Sequence, residues 1–347
     1  MSIATDRLDF WFHESVSCLQ DCMAMALKYY GEDPITILGA RWSFFHDPAQ
    51  VSQQEFYYPS PYGDLGRDLA PFHNLSARWH SAPDANAMLV DVEKALLDGR
   101  PVMLVEDNYF MPNRPAWHDV HAAHLVLVTG YDMLNETYRI MEPTPPLYHG
   151  SISREQLLKA IGSENEIREE WRDYFFAGAE LSFQWIDIHP PSSPPPLDIA
   201  FVKDVLVQNL RDFRDPDLSD ATLKGLTGLR QYLEDVVLQA RQSEQAAQQR
   251  LSEIYTIGWA HLAQTALHAE YLKKASHAFS SAELCEAARR VDSLAAKWTA
   301  FRLFGAHGAH GDIGTSVAIS EIARRTPQFA LDHELALDSI ETAIKNL

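Results

Sequence analysis

Cysteine is scarce: Cys18, Cys22 and Cys285 are the three in a chain of 347 residues. A small, odd number excludes a disulfide framework and points to a reducing compartment. Long apolar runs are also missing. Met103-Leu104-Val105 and Leu125-Val126-Leu127-Val128 fall far short of the ~20 residues that span a bilayer. Basic residues are outnumbered, 29 Lys and Arg against 48 Asp and Glu, for a formal net charge of -19. That balance repels phosphate backbones and anionic membranes, so neither nucleic acid nor membrane is expected as a partner, and cationic small molecules are favoured. There is no phosphate loop and no dinucleotide fingerprint, since Gly225 and Gly228 lack a third glycine. The start, Met1-Ser2-Ile3-Ala4-Thr5-Asp6-Arg7, has no basic residues leading into an apolar run. No signal peptide is therefore expected, and the chain reads as soluble and cytoplasmic.

What is present changes character at Pro190-Pro191-Ser192-Ser193-Pro194-Pro195-Pro196, a stiff, donor-poor run. The sequence predicts a first domain over 1–189, a linker over 190–197 and a helical domain over 198–347. After the linker, apolar residues keep helical spacing, as in Leu229, Tyr232, Leu233, Val236, Val237 and Ala240, and again over 255–276, 281–305 and 314–346. His307-Gly308-Ala309-His310-Gly311-Asp312 reads as a Gly-rich loop between helices. The first domain reads as α+β. Helices are predicted over 18–30 and 85–98, the latter closed by Gly99, and strands over 101–105, 124–131, 137–141 and 181–188. Ser153 and Gln156 have capping-box spacing and open another helix.

Ser17-Cys18-Leu19-Gln20 also has capping-box spacing, and Leu19, Cys22, Met23, Ala26, Leu27 and Tyr30 follow on one helical face up to Gly31. Cys18 therefore lies in a first helical turn, where free N–H groups and the dipole favour a thiolate, the form that attacks a carbonyl. Read alone, Cys18 is equally a small core residue, as Cys22 and Cys285 are expected to be. His124 opens a strand. Pairing Tyr131 with Thr137 across the 132–136 loop sets Glu142 opposite Val126 and diagonal to His124 on the same face, within side-chain reach. A slip of one would turn Glu142 away. Thiol, imidazole and carboxylate make a nucleophile, base and orienter. His118, His121 and His124 also invite a zinc reading, but their spacing converges only on a helix and no second ligand cluster accompanies them, so no metal and no cofactor is expected.

The span from Ser17-Cys18-Leu19-Gln20-Asp21-Cys22 to Tyr29-Tyr30-Gly31 resembles the nucleophile helix of papain-like peptidases that trim bacteriocin leaders. There a Cys stands thirteen residues before the Gly, as Cys18 does before Gly31. More pieces resemble a narrower group, the N-terminal domain of butirosin biosynthesis protein H and its relatives. They are Leu38-Gly39-Ala40, Gly99-Arg100-Pro101-Val102, Glu106-Asp107-Asn108-Tyr109 with Pro112, His124 through Gly130-Tyr131-Asp132, and Ile140-Met141-Glu142-Pro143, within about residues 15–160. The resemblance implies a papain-like domain and an acyltransferase that moves an aminoacyl chain from a carrier-protein thioester to an aminoglycoside amine. It gives Cys18 the role of acyl acceptor and His124 that of general base, and it places Glu142 where the group usually has Asp before Pro. The leader peptidases carry an oxyanion-donating Gln six residues before the Cys, where this chain has Phe12. The donors would then be backbone N–H groups near Cys18 or a side chain such as His13.

The expectation is a cysteine acyltransferase of specialised metabolism with a Cys18-His124-Glu142 set, a carrier-protein or CoA-type thioester donor and an amine or hydroxyl acceptor. The same set would also serve a thioesterase, amidase, peptidase or cyclase, and a non-catalytic binding relative is a third reading. A carrier would need a basic patch, with Arg211 and Arg214 or Lys273 and Lys274 as candidates. The helical domain is expected to shape the acceptor pocket and to offer a homodimer interface.

Overall fold

The computed structural model describes residues 10–52, 54–168, 176–216 and 221–347. In chain order its elements are α1 (Cys18–Tyr29), α2 (Pro34–Leu38), β1 (Phe45–His46), α3 (Leu65–Leu69), β2 (Ser76–Ser81), α4 (Ala85–Leu97), β3 (Val102–Asp107), β4 (Ala123–Asp132), β5 (Thr137–Glu142), β6 (Tyr148–Ser153), α5 (Arg154–Ile161) and β7 (Gln184–His189). There follow α6 (Ile199–Arg214), β8 (Leu223–Lys224), α7 (Gly225–Ala240), α8 (Glu244–Phe279), α9 (Ala282–His310) and α10 (Thr315–Asn346). A sheet-bearing N-terminal part thus precedes a helical C-terminal part. Residues 190–198 between them are neither helix nor strand. Among the described residues no helix is long and apolar enough to cross a membrane.

The large sheet has the order β2-β7-β3-β4-β5-β6 with every neighbour antiparallel. Side chains alternate across it. Met103, Val105, Leu125, Leu127 and Met141 share a core with Leu19, Cys22 and Met23 of α1. Leu104, Val126, Val128 and Ile140 share one with Met88 and Val92 of α4 and Leu157 of α5. Burial on both faces is why β3 and β4 read as continuous apolar runs rather than as alternation.

The β4–β5 hairpin differs from the sequence expectation at one end. Tyr131 pairs with Tyr138 and Asp132 with Thr137, but the register shifts between Val128 and Gly130, after which Val128 pairs with Ile140 and Leu127 with Met141. The irregularity absorbs one residue, as a bulge does. Continued, the second register sets Val126 opposite Glu142, so Glu142 falls on the face of His124.

A second difference concerns the Gly-rich segment. α9 runs on through His307 to His310 and ends only at Gly311, which is left-handed at φ 82°. The helical glycines are required by packing: a Cβ on Gly305 would lie 2.4 Å from Ile254 Cγ2, and one on Gly308 would lie 2.6 Å from Ala318 Cβ.

The two parts share cores. Ala40, Trp42 and Phe44 are buried with Leu229, Leu272, Trp298 and Phe329, while Ala263 and Leu267 of α8 join the core under α1. Gly39 is a point of close approach. A Cβ there would lie 2.5 Å from Leu267 O, 2.6 Å from Ile35 O and 2.9 Å from Tyr271 Cβ, and Gly39 O accepts a hydrogen bond from His268 Nδ1 at 2.8 Å. Because two of these neighbours are backbone atoms, Gly39→Ala is expected to cost about 1–3 kcal/mol, the usual range for overpacking. Urea denaturation would measure it, and an unchanged midpoint would show that α2 and α8 can separate freely.

Candidate active site

α1 reaches the sheet where β5 lets go of β4. The last paired residue of β4 on that side is Leu127, so the edge of residues 123–126 is open to another element. α1 occupies it: Cys22 Sγ donates to Leu125 O at 3.4 Å, and the Leu125 N–H points at Cys18 Sγ. Ser17 fixes the start of the helix through Gln20, whose Oε1 accepts from the Ser17 N–H at 3.2 Å and from its hydroxyl at 2.6 Å. The result sets Cys18, the first helical residue, fully buried beside the start of β4.

Cys18, His124 and Glu142 come together. The Cys18 thiol hydrogen-bonds the His124 ring. On its far side His124 Nε2 lies 2.8 Å from Glu142 Oε2. Glu142 Oε1 accepts the Thr144 N–H at 2.9 Å. Arg114 Nη1 lies 3.6 Å from Glu142 Oε2 and donates to Thr144 O at 2.9 Å.

A fourth member was not foreseen. Glu55, in the loop between β1 and α3, places Oε2 2.8 Å from His124 Nδ1 and accepts the Cys18 backbone N–H. Cys18 Sγ, a ring nitrogen of His124 and a carboxylate oxygen of Glu55 all lie within 4.8 Å of one another. The N–H expected to steady an oxyanion is thus held by a carboxylate. His13 is engaged elsewhere, its Nδ1 accepting the Ser15 N–H at 3.2 Å. Glu106, directly across from His124 in β3, is also fully buried. Neither of its oxygens has a hydrogen-bond partner among the described residues, and burial pushes its pKa up to about 8.

These neighbours set the protonation states. Burial pushes the Cys18 thiol up to about 12 and the Glu55 charge adds to this, while the His124 charge and its hydrogen bond pull the other way. The helix start alone therefore does not ionise the sulfur. Burial would also pull His124 down, but Glu142 and Glu55 together hold it well above the ordinary histidine value. Burial opposes ionisation of Glu55, yet the His124 charge, Arg114 and the Cys18 N–H leave its pKa below the usual range. Together these effects favour a neutral thiol beside a charged His124 ring held between two glutamates. Glu55→Gln removes the negative charge nearest the sulfur, and one pKa unit is a tenfold change in thiolate. Alkylation of Cys18 by iodoacetamide near neutral pH is expected to speed up by roughly tenfold. A rate at or below that of the wild type would show that Glu55 does not suppress the thiolate.

The helical part sets aromatic and charged groups within electrostatic reach of Glu55. Arg302 of α9 stacks over Tyr255 at 4.5 Å and Trp259 at 4.1 Å, both on α8. The Glu55 charge acts on both Tyr255 and Arg302. His118 and His121 do not join His124. His121 Nδ1 lies 2.6 Å from Asp107 Oδ2, and His118 stacks on Trp117 at 4.1 Å. The basic residues considered for docking are mostly paired already, Arg214 with Asp338 and Glu341, Lys273 with Glu270 and Lys274 with Asp33. Comparison with curated proteins finds no match. Residues 17–143 match the family model described as butirosin biosynthesis protein H, N-terminal.

Proposed function

We propose, on the premise that residues 17–143 belong to the butirosin biosynthesis protein H N-terminal family, that the protein is a thioester-dependent acyltransferase of antibiotic or other specialised metabolism. Its catalytic unit would be a papain-like cysteine domain over 1–189, joined by a 190–197 linker to a helical unit over 198–347. The observation that carries the reading is the hydrogen-bonded row of Cys18, His124 and Glu142.

The chemistry follows from that row. As the thioester carbonyl arrives, Glu55 takes the His124 Nδ1 proton and carries it aside. The neutral ring then accepts the Cys18 proton as the sulfur attacks the carbonyl carbon, and Glu55 returns its proton when the cycle ends. The donor's C–S bond breaks and its thiol leaves with a proton from His124. Exchange of one thioester for another is nearly isoenergetic, which suits a thiol nucleophile. An amine or hydroxyl acceptor then attacks the acyl-Cys18 carbonyl and gives its proton to His124, and Cys18 is released. Glu142 holds the imidazole in one orientation throughout. Glu55 sits where the donor's carbonyl oxygen would meet the Cys18 N–H, so it must swing aside on binding. Its side chain is the least buried of the set, 10% exposed against 1% for both His124 and Glu142, so the acyl chain enters past it. Tyr255 and Arg302, on which the Glu55 charge acts, and Trp259 stacked with Arg302 would contact the acceptor. The acidic surface draws in a cationic acceptor, and the carrier protein or other thioester donor approaches against it.

Intact mass spectrometry tests the reading. An acyl N-acetylcysteamine thioester mixed with the protein is expected to add one acyl mass, and an added amine is expected to remove it as amide. No adduct and no thioester consumption would overturn the acyl-thiol step. Free acid as the only product, with or without amine, would overturn transfer in favour of hydrolysis.

A further inference from the structure

We propose that Cys18, Glu55 and His124 together form a binding site for a thiophilic divalent cation, zinc above all, which masks the nucleophile while it is bound. The inference needs only the three ligands and is independent of the acyl-transfer reading.

The donor set is a zinc set: one thiolate, one imidazole and one carboxylate. The spacing suits it. Bonds of about 2.0–2.3 Å place the donor atoms of a tetrahedral site roughly 3.3–3.8 Å apart. The three atoms here lie within 4.8 Å of one another. His124 Nδ1 and Glu55 Oε2 are closer, at 2.8 Å, because a proton bridges them. Exchanging that proton for a metal requires Glu55, on a loop and the least buried of the three, to rotate outward by about half an ångström and the Cys18 sulfur to settle at bonding distance from the ion.

The surroundings provide a second, independent observation. A metal-bound histidine nearly always donates its outer N–H to a carboxylate, a backbone carbonyl or water, which fixes ring orientation and raises basicity. His124 Nε2 meets Glu142 at 2.8 Å, and Glu142 is itself held by the Thr144 N–H at 2.9 Å. The ring is thus already aimed, with Nδ1 toward Cys18 and Glu55. Three protein ligands leave a fourth position for water, as in open zinc sites.

The step balances without redox change. The cation forms bonds to sulfur, nitrogen and oxygen, each ligand supplying the electron pair. One proton leaves Cys18, another leaves His124 Nδ1, and both pass to solvent. Because the cation draws charge from the bound sulfur and takes up His124 Nδ1 as a ligand, attack on a carbonyl is suppressed while the metal is bound.

Cobalt(II) is the probe. Titrated into the full chain stripped of metal, it is expected to give a thiolate-to-cobalt charge-transfer band and the intense visible bands of four-coordination, saturating at one equivalent. Zinc should displace it and block alkylation of Cys18, and EDTA should restore alkylation. Cys18→Ser should lose the charge-transfer band. Glu142→Gln, which touches no metal, should weaken binding by about 10–100-fold, as loss of an outer partner does. Absence of the band from the wild type at one equivalent, or its survival in Cys18→Ser, overturns the site. Protein that forms the acyl adduct yet binds no cobalt sinks this inference alone, whereas cobalt binding without any adduct sinks acyl transfer alone.

Discussion

Cys18→Ala is expected to abolish the acyl adduct and to lower turnover by about ten-thousandfold or more, the scale on which covalent catalysis fails when its nucleophile is removed. Neither remaining cysteine can replace it. Cys22 lies one turn further along α1, fully buried, with its Sγ committed to Leu125 O. Burial, reinforced by the charge of Glu142, holds its thiol well above the ordinary value. Cys285 is exposed on α9, so alkylating or replacing it should leave turnover unchanged. The loss in Cys18→Ala should not be a folding loss, because only a sulfur is removed and the capping by Ser17 and Gln20 persists. Circular dichroism and the urea midpoint would verify this. An adduct that survives in Cys18→Ala would move the nucleophile elsewhere and remove the reason for placing His124 in the mechanism.

The sequence made α1, β4 and β5 legible because each obeys a local rule: a capping box, an apolar run long enough for a buried strand, and a hairpin loop between them. It also placed Glu142 on the face of His124, although the pairing assumed at the turn is off by one. The irregularity between Val128 and Gly130 corrects the register before it reaches the site, and no single-sequence pattern announces a bulge. The two edge strands were invisible for a different reason. Ser76-Ala77-Arg78-Trp79-His80-Ser81 and Tyr148-His149-Gly150-Ser151-Ile152-Ser153 pair on one side only and are largely polar. Edge strands are kept that way against aggregation, which erases the usual strand signal. Glu55 is the sharper omission. It lies in a loop, where no periodicity constrains its partner, and only the fold brings it to a histidine 69 residues away. The Phe56-Tyr57-Tyr58 run beside it was the one hint, since large aromatics tend to be buried and would draw a neighbouring charge inward with them. The protonation of Cys18 differs from the helix-start expectation for the same reason. A helix start acts locally, but burial and the unseen Glu55 charge act more strongly.

Glu142→Gln is expected to lower turnover by up to about ten-thousandfold, the cost of turning a triad's orienting carboxylate into an amide of the same shape. The fold should survive, since the amide still fills the space between His124, Thr144 and Arg114. Glu142→Asp separates charge from reach: it keeps the charge and shortens the arm by one methylene. A misplacement of roughly 1 Å costs up to about a hundredfold, so this variant should retain much more activity than the glutamine. A second readout follows from linkage. His124 titrates higher in the folded protein than unfolded, mainly because Glu142 and then Glu55 outweigh its burial. The stability this provides is fully present below the unfolded histidine value of about 6.5 and is lost as pH rises through the folded value. Removing the Glu142 charge lowers that folded value. The stability gap between wild type and Glu142→Gln should therefore be widest below about pH 6 and shrink as pH rises through the folded His124 value, as followed by urea midpoints. A gap that stays constant across that range would mean that Glu142 fills space next to the ring without supporting its charge. Turnover would then fall no further in Glu142→Gln than in Glu142→Asp.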